Sequence, residues 1–151
     1  PLIMRWPGVI KPGSTSHEIV SSIDLFPTIS EAVKADSKSV DGTSLLGVLK
    51  GDGTIQREAI YWHFPHYNGN AGAKPGAAIR AGDWKLIEFY DDGRRELFDL
   101  SAGPSESRNV AADNSAIVEE LAKKLEAWRQ EVGAKLPTPN PNYLPNSQAK
   151  D

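Results

Sequence analysis

Two turn signals between Ala78 and Leu100 constrain the fold more than any other feature of this sequence. Asp92-Gly93 separates two β-prone runs, Trp84-Lys-Leu-Ile-Glu-Phe-Tyr90 and Arg95-Glu-Leu-Phe-Asp-Leu100, and this dipeptide favours a tight hairpin. Ala81-Gly82-Asp83 joins the first run to Ala78-Ile79-Arg80. With Ala59-Ile60-Tyr61-Trp62 upstream, the pattern predicts a meander of about four antiparallel strands, which is stable when a helix covers one face.

That covering helix is predicted between Asp113 or Asn114, which can cap it, and about Val132. Large apolar side chains recur there at helical spacing and form one face: Ile117, Val118, Leu121, Leu125 and Trp128. Gly133 then ends the helix. The sequence therefore predicts an α+β unit in which Trp84 and Trp128 belong to the core and do not form a carbohydrate platform.

The first 53 residues have a different character. Leu2, Ile3 and Met4 predict a strand that is buried on both faces, as in a parallel sheet. The next strand-like run begins only at Ala59, so we expect the neighbours of this strand to lie outside this chain. An unpaired apolar strand also predicts self-association of the chain through Leu2, Ile3 and Met4.

Two helices are predicted downstream of this strand. The first runs over Leu25 to Ala35 with Asp24 as its cap, and Phe26, Ile29 and Val33 form one apolar stripe along it. The second runs over Leu45 to Lys50 and is ended by Gly51. We thus divide the chain into residues 1–53, the end of a larger α/β domain, residues 54–136, a small α+β subdomain, and an extended tail at 137–151.

Composition excludes several classes of protein. The 151 residues carry a net charge of -3 with mixed signs along the chain, which argues against a nucleic-acid-binding surface. No apolar stretch approaches the roughly 20 residues of a membrane span. Cysteine is absent, so disulfides, thiolate metal sites and a cysteine nucleophile are excluded within these residues.

The segment Trp62-His-Phe-Pro-His-Tyr67 carries the most chemically active side chains of the chain. It leaves a predicted strand and enters a glycine-rich loop, and its imidazoles can donate hydrogen bonds to substrate oxygens or to a leaving group. We name His63, His66 and Tyr67 as candidate substrate-binding residues. Two alternatives stay open: the histidines order the loop, or His63 and His66 bind zinc together with His17 or a carboxylate.

Arg80 is a further candidate, because a guanidinium binds an anionic group through two parallel hydrogen bonds. The alternative for Arg80 is a salt bridge on a solvated strand face. The aspartates do not form a run of metal ligands, since each is explained as a helix cap or a turn residue: Asp24, Asp41, Asp83, Asp91, Asp92 and Asp99.

The order of short motifs resembles the C-terminal region of type I sulfatases, members of the alkaline-phosphatase-like superfamily. The matching pieces are Pro1-Leu-Ile-Met-Arg-Trp-Pro-Gly8, Lys11-Pro-Gly13, Val20-Ser-Ser-Ile-Asp-Leu-Phe-Pro-Thr28, Asp41-Gly-Thr-Ser-Leu-Leu46, Tyr61-Trp-His-Phe-Pro-His-Tyr67, Ala78-Ile-Arg80, Trp84-Lys-Leu-Ile87, Glu96-Leu-Phe-Asp-Leu100 and Asn140-Pro-Asn-Tyr143. Each piece alone is weak, but the ordered set covers nearly the whole chain.

The resemblance implies a sulfuric ester hydrolase whose N-terminal domain holds a formylglycine nucleophile and a calcium ion. This sequence has neither the Cys/Ser-x-Pro-x-Arg motif nor the family's run of metal-binding aspartates, so we expect the chain alone to be non-catalytic. His63, His66, Tyr67 and Arg80 are then expected at the mouth of a pocket for a sulfated small molecule or sugar. The missing N-terminal domain is the expected partner, and a periplasmic or secreted location follows from the family.

Two other functions compete with this interpretation. The chain is alternatively part of a phosphodiesterase or phosphonate-ester hydrolase of the same superfamily, which shares the fold and the nucleophile. It is alternatively a stand-alone carbohydrate-binding or interaction module, because the sheet and helix predicted after residue 53 have a core of their own.

Overall fold

The computed structural model describes residues 2–36, 38, 40–67, 74–138 and 140–141. Its α-helices are α1 (Leu25–Ala32), α2 (Leu46–Lys50) and α3 (Ser115–Glu131), and its strands are β1 (Ile60–Phe64), β2 (Gly76–Ala81), β3 (Trp84–Phe89) and β4 (Arg95–Asp99). The chain divides into a first unit, Pro1–Ile60, and a second unit, Tyr61–Asp151. No helix among the described residues is long and apolar enough to cross a membrane.

Polar side chains, more than apolar ones, hold the first unit together. Asp24 ends a 3₁₀ turn and is fully buried, and its carboxylate accepts hydrogen bonds from Ser21 N (2.7 Å) and Thr43 N (2.9 Å). Arg57 donates to the same carboxylate through both of its terminal nitrogens. These contacts tie residues far apart in sequence to the start of α1. Asp24 is the N-cap residue of α1, as predicted, but its side chain makes no capping hydrogen bond to the helix, because its carboxylate bonds to these other partners.

Thr28 fixes how α1 is turned. Its hydroxyl donates to Asp24 O (2.6 Å) and accepts from Leu45 N (2.8 Å), so the polar side of the helix faces inward. The predicted stripe is therefore exposed, not buried: Phe26 is 59% exposed, Ile29 62% and Val33 68%. Helical spacing had identified the apolar face correctly, but it gave no information about which face the rest of this unit covers.

Leu2, Ile3 and Met4 do not form the predicted strand. The structure assigns no strand to them, and Ile3 is 91% exposed. Gly42, by contrast, is required where it is. A Cβ there would lie 2.1 Å from Ile23 O, so only glycine permits the close approach of the two backbone segments.

The second unit is the predicted meander packed on a helix. The strand order is β1-β2-β3-β4, and both β2–β3 and β3–β4 are antiparallel. Ile79, Leu86 and Leu97 lie side by side across β2, β3 and β4, and each is fully buried. Burying each of them stabilises the fold by roughly 1.5–3 kcal/mol.

Helix α3 covers this row with a buried face of its own: Val118, Leu121, Ala122 and Leu125. The structure also settles which side of β3 faces the helix, because Leu86 is buried and Glu88, two residues further, bonds to Arg129 of α3. Trp84 and Trp128 are half-buried, and Trp128 stacks on Tyr61 with 4.9 Å between the ring centroids. The outer edge of β4 is covered, since Leu97 N donates to Asn109 Oδ1 and Val110 N donates to Leu97 O.

Candidate functional site

Strand β1 presents its side chains alternately to the two faces of the sheet. Tyr61 stacks on Trp128 of α3 and His63 contacts Tyr90, so these two residues lie on the helix side. Trp62 and Phe64 therefore point to the other side. Each of them is 45% exposed, an unusual amount for neighbouring large aromatics of one strand.

His63 has hydrogen-bond partners at both ring nitrogens. Its Nδ1 lies 2.6 Å from the hydroxyl of Tyr90, and its Nε2 lies 3.1 Å from the backbone carbonyl of Lys135. A carbonyl only accepts, so Nε2 carries a proton, and in that tautomer the Tyr90 hydroxyl donates to Nδ1. These contacts join the end of β3, the segment after α3 and β1, which suits a residue that orders the adjoining loop.

Tyr90 extends this contact into a charged network beneath the helix. The Arg129 guanidinium lies 5.6 Å from the centre of the Tyr90 ring and donates to Glu88 Oε1 at 2.7 Å. Glu88 also accepts from Arg95 Nε at 2.9 Å. Burial alone would lower the pKa of Arg129, but hydrogen bonding with Tyr90, Glu88 and Glu126 raises it above its ordinary value. The guanidinium is therefore charged, and it pairs with the half-buried Glu88.

His66 and Tyr67 follow β1 and are open to solvent. The His66 ring meets Phe64 edge-on with 5.8 Å between centroids, and Tyr67 is 71% exposed. Within the described part of the chain neither side chain makes a hydrogen bond to another residue. Both are accessible to a ligand. The loop that continues from them, residues 68–73, lies outside the described residues.

Arg80 lies on the face of the sheet that α3 does not cover. Its neighbours Ile79 and Ala81 flank it on β2, and Ile79 is buried against the helix, so the alternation turns Arg80 away. Its Nε is buried and has no hydrogen-bond acceptor among the described residues. The expected alternative, a salt bridge, is likewise absent from the described contacts of Arg80. Lys85, which lies opposite Arg80 in the β2–β3 pair, forms an ion pair with Glu106 at 2.7 Å. Of these two facing cations, only Arg80 therefore has no carboxylate partner among the described residues.

The candidate residues do not form one cluster. His63 faces the helix side of the sheet, whereas Arg80 faces the opposite side. His66 contacts Phe64, which shares the face of Arg80. Sequence reasoning did not identify Tyr90 or Arg129 as parts of this region, and it placed Trp62 in the candidate segment without naming it as a site residue. The sequence did contain one indication of Arg129. Glu88 lies on the same strand face as the buried Leu86, and a carboxylate in that position needs a cation nearby.

The described residues do not fit a metal ion. They contain no group of three or more histidine, aspartate or glutamate side chains able to hold one. The zinc alternative at His63 and His66 has a further obstacle, since both nitrogens of His63 are already engaged. The expectation that the calcium ligands lie outside this chain stays a prediction.

A family model described as N-sulphoglucosamine sulphohydrolase, C-terminal, matches residues 1–131. The chain belongs to this sulfatase C-terminal family. The resemblance drawn from the ordered motifs is thereby confirmed. So is the fold class, because the sulfatases of known structure that it matches are alkaline-phosphatase-like and the sheet-and-helix unit is α+β.

Members of the sulfatase family and its superfamily share both sequence and fold with this chain. The N-acetylglucosamine-6-O-sulfatase of Bacteroides thetaiotaomicron is 35% identical over 138 residues, which are 87% of this chain and 25% of that protein. The solved structure of BT4656 with its substrate D-glucosamine-2-N,6-O-disulfate superposes with a TM-score of 0.73 at 33% identity, covering 85% of this chain and 28% of that one. A phosphonate monoester hydrolase from Silicibacter pomeroyi gives 0.62 at 28% identity, with 84% and 28% covered. The chain thus spans about a quarter of the relatives it matches.

Proposed function

We propose that this chain is the substrate-pocket part of a sulfuric ester hydrolase and does not cleave a sulfate ester by itself. The observation that carries the proposal is the family match over residues 1–131 together with its span of only 25% of a carbohydrate sulfatase. The nucleophile and the calcium ion of the resemblance would then be supplied by the part of the enzyme that this match does not cover.

The candidate residues take different roles in this proposal. His66 and Tyr67 are exposed at the end of β1 and are free to contact a substrate. Arg80 would bind an anionic group of the substrate, because its guanidinium has no acidic partner among the described residues and its Nε has no hydrogen-bond acceptor there. His63 would not contact the substrate itself. It would hold in place the segment that carries His66 and Tyr67.

The substrate class follows from the relatives and stays part of the proposal. The relatives include an N-acetylglucosamine-6-O-sulfatase and an N-acetylgalactosamine-6-O-sulfatase, both named for a sulfated amino sugar. A sulfated sugar presents an anionic group beside an apolar ring face. Arg80 and the exposed aromatics Trp62 and Phe64 offer matching chemistry on one face of the sheet.

The first test asks whether the isolated chain turns over an aryl sulfate in the presence of calcium. No turnover is expected. Clear turnover that follows the protein through purification would contradict the proposal, because it would require a nucleophile within these 151 residues.

The second test asks whether Arg80 binds substrate. The chain would replace the matched part of the Bacteroides thetaiotaomicron sulfatase, and hydrolysis of 6-sulfated N-acetylglucosamine would be followed in Arg80→Gln and Arg108→Gln chimeras. Losing a charged hydrogen bond should raise KM by about ten- to a hundredfold in Arg80→Gln. Arg108 is 82% exposed and serves as the matched control. Equal KM values in the two chimeras would remove Arg80 from the site.

The phosphonate-ester alternative is supported by the likeness to the Silicibacter pomeroyi hydrolase. The same replacement made in that enzyme separates the two functions. We expect turnover to be restored in the sulfatase scaffold and not in the phosphonate hydrolase. The reverse result would favour the alternative.

A further inference from the structure

Tyr90 contacts both ends of the connection between β1 and β2. Its hydroxyl lies 2.6 Å from Nδ1 of His63 in β1, and its backbone N–H donates to Pro75 O at 2.9 Å, one residue before β2. The candidate residues His66 and Tyr67 lie in the chain between these two points. One residue at the end of β3 therefore holds the segment that carries them from both sides.

The β2 end of this connection is held by backbone and ion-pair contacts. Pro75 is fully buried, and Lys74 pairs with Asp91 at 3.1 Å. A Cβ on Gly76 would lie 2.7 Å from Glu88 O, so the start of β2 approaches the backbone of β3 more closely than any other residue would permit. This end of the connection is therefore fixed to the end of β3 by several independent contacts.

The β1 end depends on the side chain of His63. Its two ring nitrogens contact the Tyr90 hydroxyl and, at 3.1 Å, Lys135 O. His66 and Tyr67, a few residues further along, make no side-chain hydrogen bond to another described residue, and Tyr67 is 71% exposed. The placement of His66 and Tyr67 therefore follows from that of His63.

Helix α3 in turn holds the ring of Tyr90. The Arg129 guanidinium lies 5.6 Å from the centre of that ring, and it donates to Glu88 at 2.7 Å and to Glu126 at 2.6 Å. The Arg129 and Glu88 side chains are only 10% and 13% exposed, so this ion pair has little freedom to rearrange. The Tyr90 hydroxyl is thus presented to His63 by the helix and the sheet together.

We propose that Tyr90 is a positioning residue for the substrate site, which sets the placement of His66 and Tyr67 through its contacts with His63 and Pro75. The inference rests on the proposed function, in which His66 and Tyr67 contact the substrate. A segment that is already held in its binding conformation lowers the ordering cost of binding. The contribution of Tyr90 therefore belongs to substrate binding and not to the chemical step.

The first test follows hydrolysis of 6-sulfated N-acetylglucosamine by the Bacteroides thetaiotaomicron chimera described above. Tyr90→Phe removes the hydroxyl and keeps the ring and the backbone N–H. It should raise KM by about three- to tenfold, the size of one neutral hydrogen bond, and leave kcat within about twofold. Leu125→Ala destabilises the same unit through its core and is the control for a merely structural effect. Its KM should stay within about twofold of the wild-type value.

Variants of His63 show whether the effect passes through this residue. His63→Asn keeps an acceptor where Nδ1 lies, whereas His63→Leu removes it, and both lose the bond to Lys135 O. The KM of His63→Asn should therefore be at least about threefold below that of His63→Leu. Adding Tyr90→Phe to His63→Leu should raise KM no further, because the two side chains act as one unit.

Backbone relaxation of the chain alone gives a readout that needs no activity. In Tyr90→Phe the ¹⁵N order parameters of His66 and Tyr67 should fall by at least about 0.1, because their segment loses its anchor in β1. The order parameter of Lys123, on the exposed side of α3, should stay unchanged and serves as the control.

Three results would overturn the inference. Equal rises of KM in Tyr90→Phe and Leu125→Ala would make Tyr90 a structural residue, and additive effects in the double variant would show that its hydroxyl acts without His63. Unchanged order parameters at His66 and Tyr67 would show that Tyr90 does not hold their segment. If these order parameters fall but the wild-type chimera does not hydrolyse the sulfated sugar, the proposed function fails and the positioning role of Tyr90 stands.

Discussion

Asp24 is the residue on which the polar contacts of the first unit converge. Burial raises the cost of its charge, but the Arg57 guanidinium and the backbone N–H groups of Thr43 and Ser21 outweigh that cost and lower its pKa below the ordinary value. The pKa of the Arg57 guanidinium is raised in turn, because its hydrogen bonds to Asp24 favour the charged form. A buried pair of this kind specifies one arrangement of the segments that it joins.

Substituting Asp24 by asparagine should destabilise the first unit by about 3–5 kcal/mol, because Arg57 is left buried without a counter-charge. Hydrogen exchange at the Thr43 and Leu45 amides measures this loss locally. Asp36→Asn is the control, since Asp36 is 64% exposed in its pair with Lys38 and should change stability by less than about 0.5 kcal/mol. Unchanged protection in Asp24→Asn would mean that the pair contributes nothing.

The same carboxylate predicts a loss of stability in acid. The pKa of this carboxyl is lower in the folded than in the unfolded chain. As the pH falls, the unfolded state therefore takes up a proton before the folded state does, and the folded state loses stability relative to it. The stabilisation is complete above the unfolded value of about 4 and is lost as the pH drops through the folded value. The protection of the Thr43 amide relative to its intrinsic exchange rate, followed between neutral pH and pH 3, should fall in the wild type and stay flat in Asp24→Asn. A parallel response in both would assign the acid sensitivity to other groups.

Tyr90 is the residue that makes His63 a part of the scaffold. Tyr90→Phe leaves the Nδ1 of His63 without its donor at 2.6 Å, which should cost roughly 1–3 kcal/mol in urea unfolding. The Nδ1 resonance of His63 should shift as its hydrogen bond is lost. Tyr67→Phe removes a hydroxyl that is solvent-exposed and should leave both measurements unchanged. A His63 resonance that ignores Tyr90→Phe would show that this contact does not form in solution.

At the scale of the elements, sequence periodicity predicted the secondary structure of each segment better than it predicted the tertiary contacts of that segment. The helix expected up to about Val132 is found at Ser115–Glu131, and all four strands expected in the meander are found, whereas the strand expected at Leu2 to Met4 is not. These elements contact neighbours close in sequence, so local pattern and turn chemistry suffice. Helix α1 is found at Leu25–Ala32, but its spacing did not show which face is covered, because the polar Thr28 and Asp24 are buried through hydrogen bonds that hydrophobic spacing does not register.

Helix α3 should account for much of the stability of the second unit. Leu125→Ala, at a side chain with 0% exposure, should cost about 2–5 kcal/mol through lost burial and the cavity that remains. Lys123→Ala on the exposed side of the same helix should stay within about 0.5 kcal/mol. Urea unfolding followed by Trp128 fluorescence distinguishes the two. Similar midpoints for both variants would show that α3 does not pack on the sheet as described.

At the scale of the whole molecule, the candidate site was predictable as a set of residue types and not as an arrangement. The segment that carries His66 and Tyr67 was identified by its composition, and both residues are exposed. The opposed faces of His63 and Arg80 depend on strand pairing, and the partner of His63 is a backbone carbonyl 72 residues away. Contacts of that range are set by tertiary packing, which no local pattern in the sequence encodes.

The family chemistry predicts how the whole chain responds to calcium. A ligand that binds only the folded state raises the free energy of unfolding as its concentration rises above its Kd, so a bound ion would raise the melting temperature. Because the described residues offer no group of three or more candidate ligand side chains, millimolar calcium and chelation by EDTA should both leave the melting temperature within about 1 °C. A full-length carbohydrate sulfatase of the family, melted under the same conditions, is the positive control. A calcium-dependent rise in this chain would place oxygen ligands for the ion within these 151 residues and would contradict the division of labour proposed for the two parts of the enzyme.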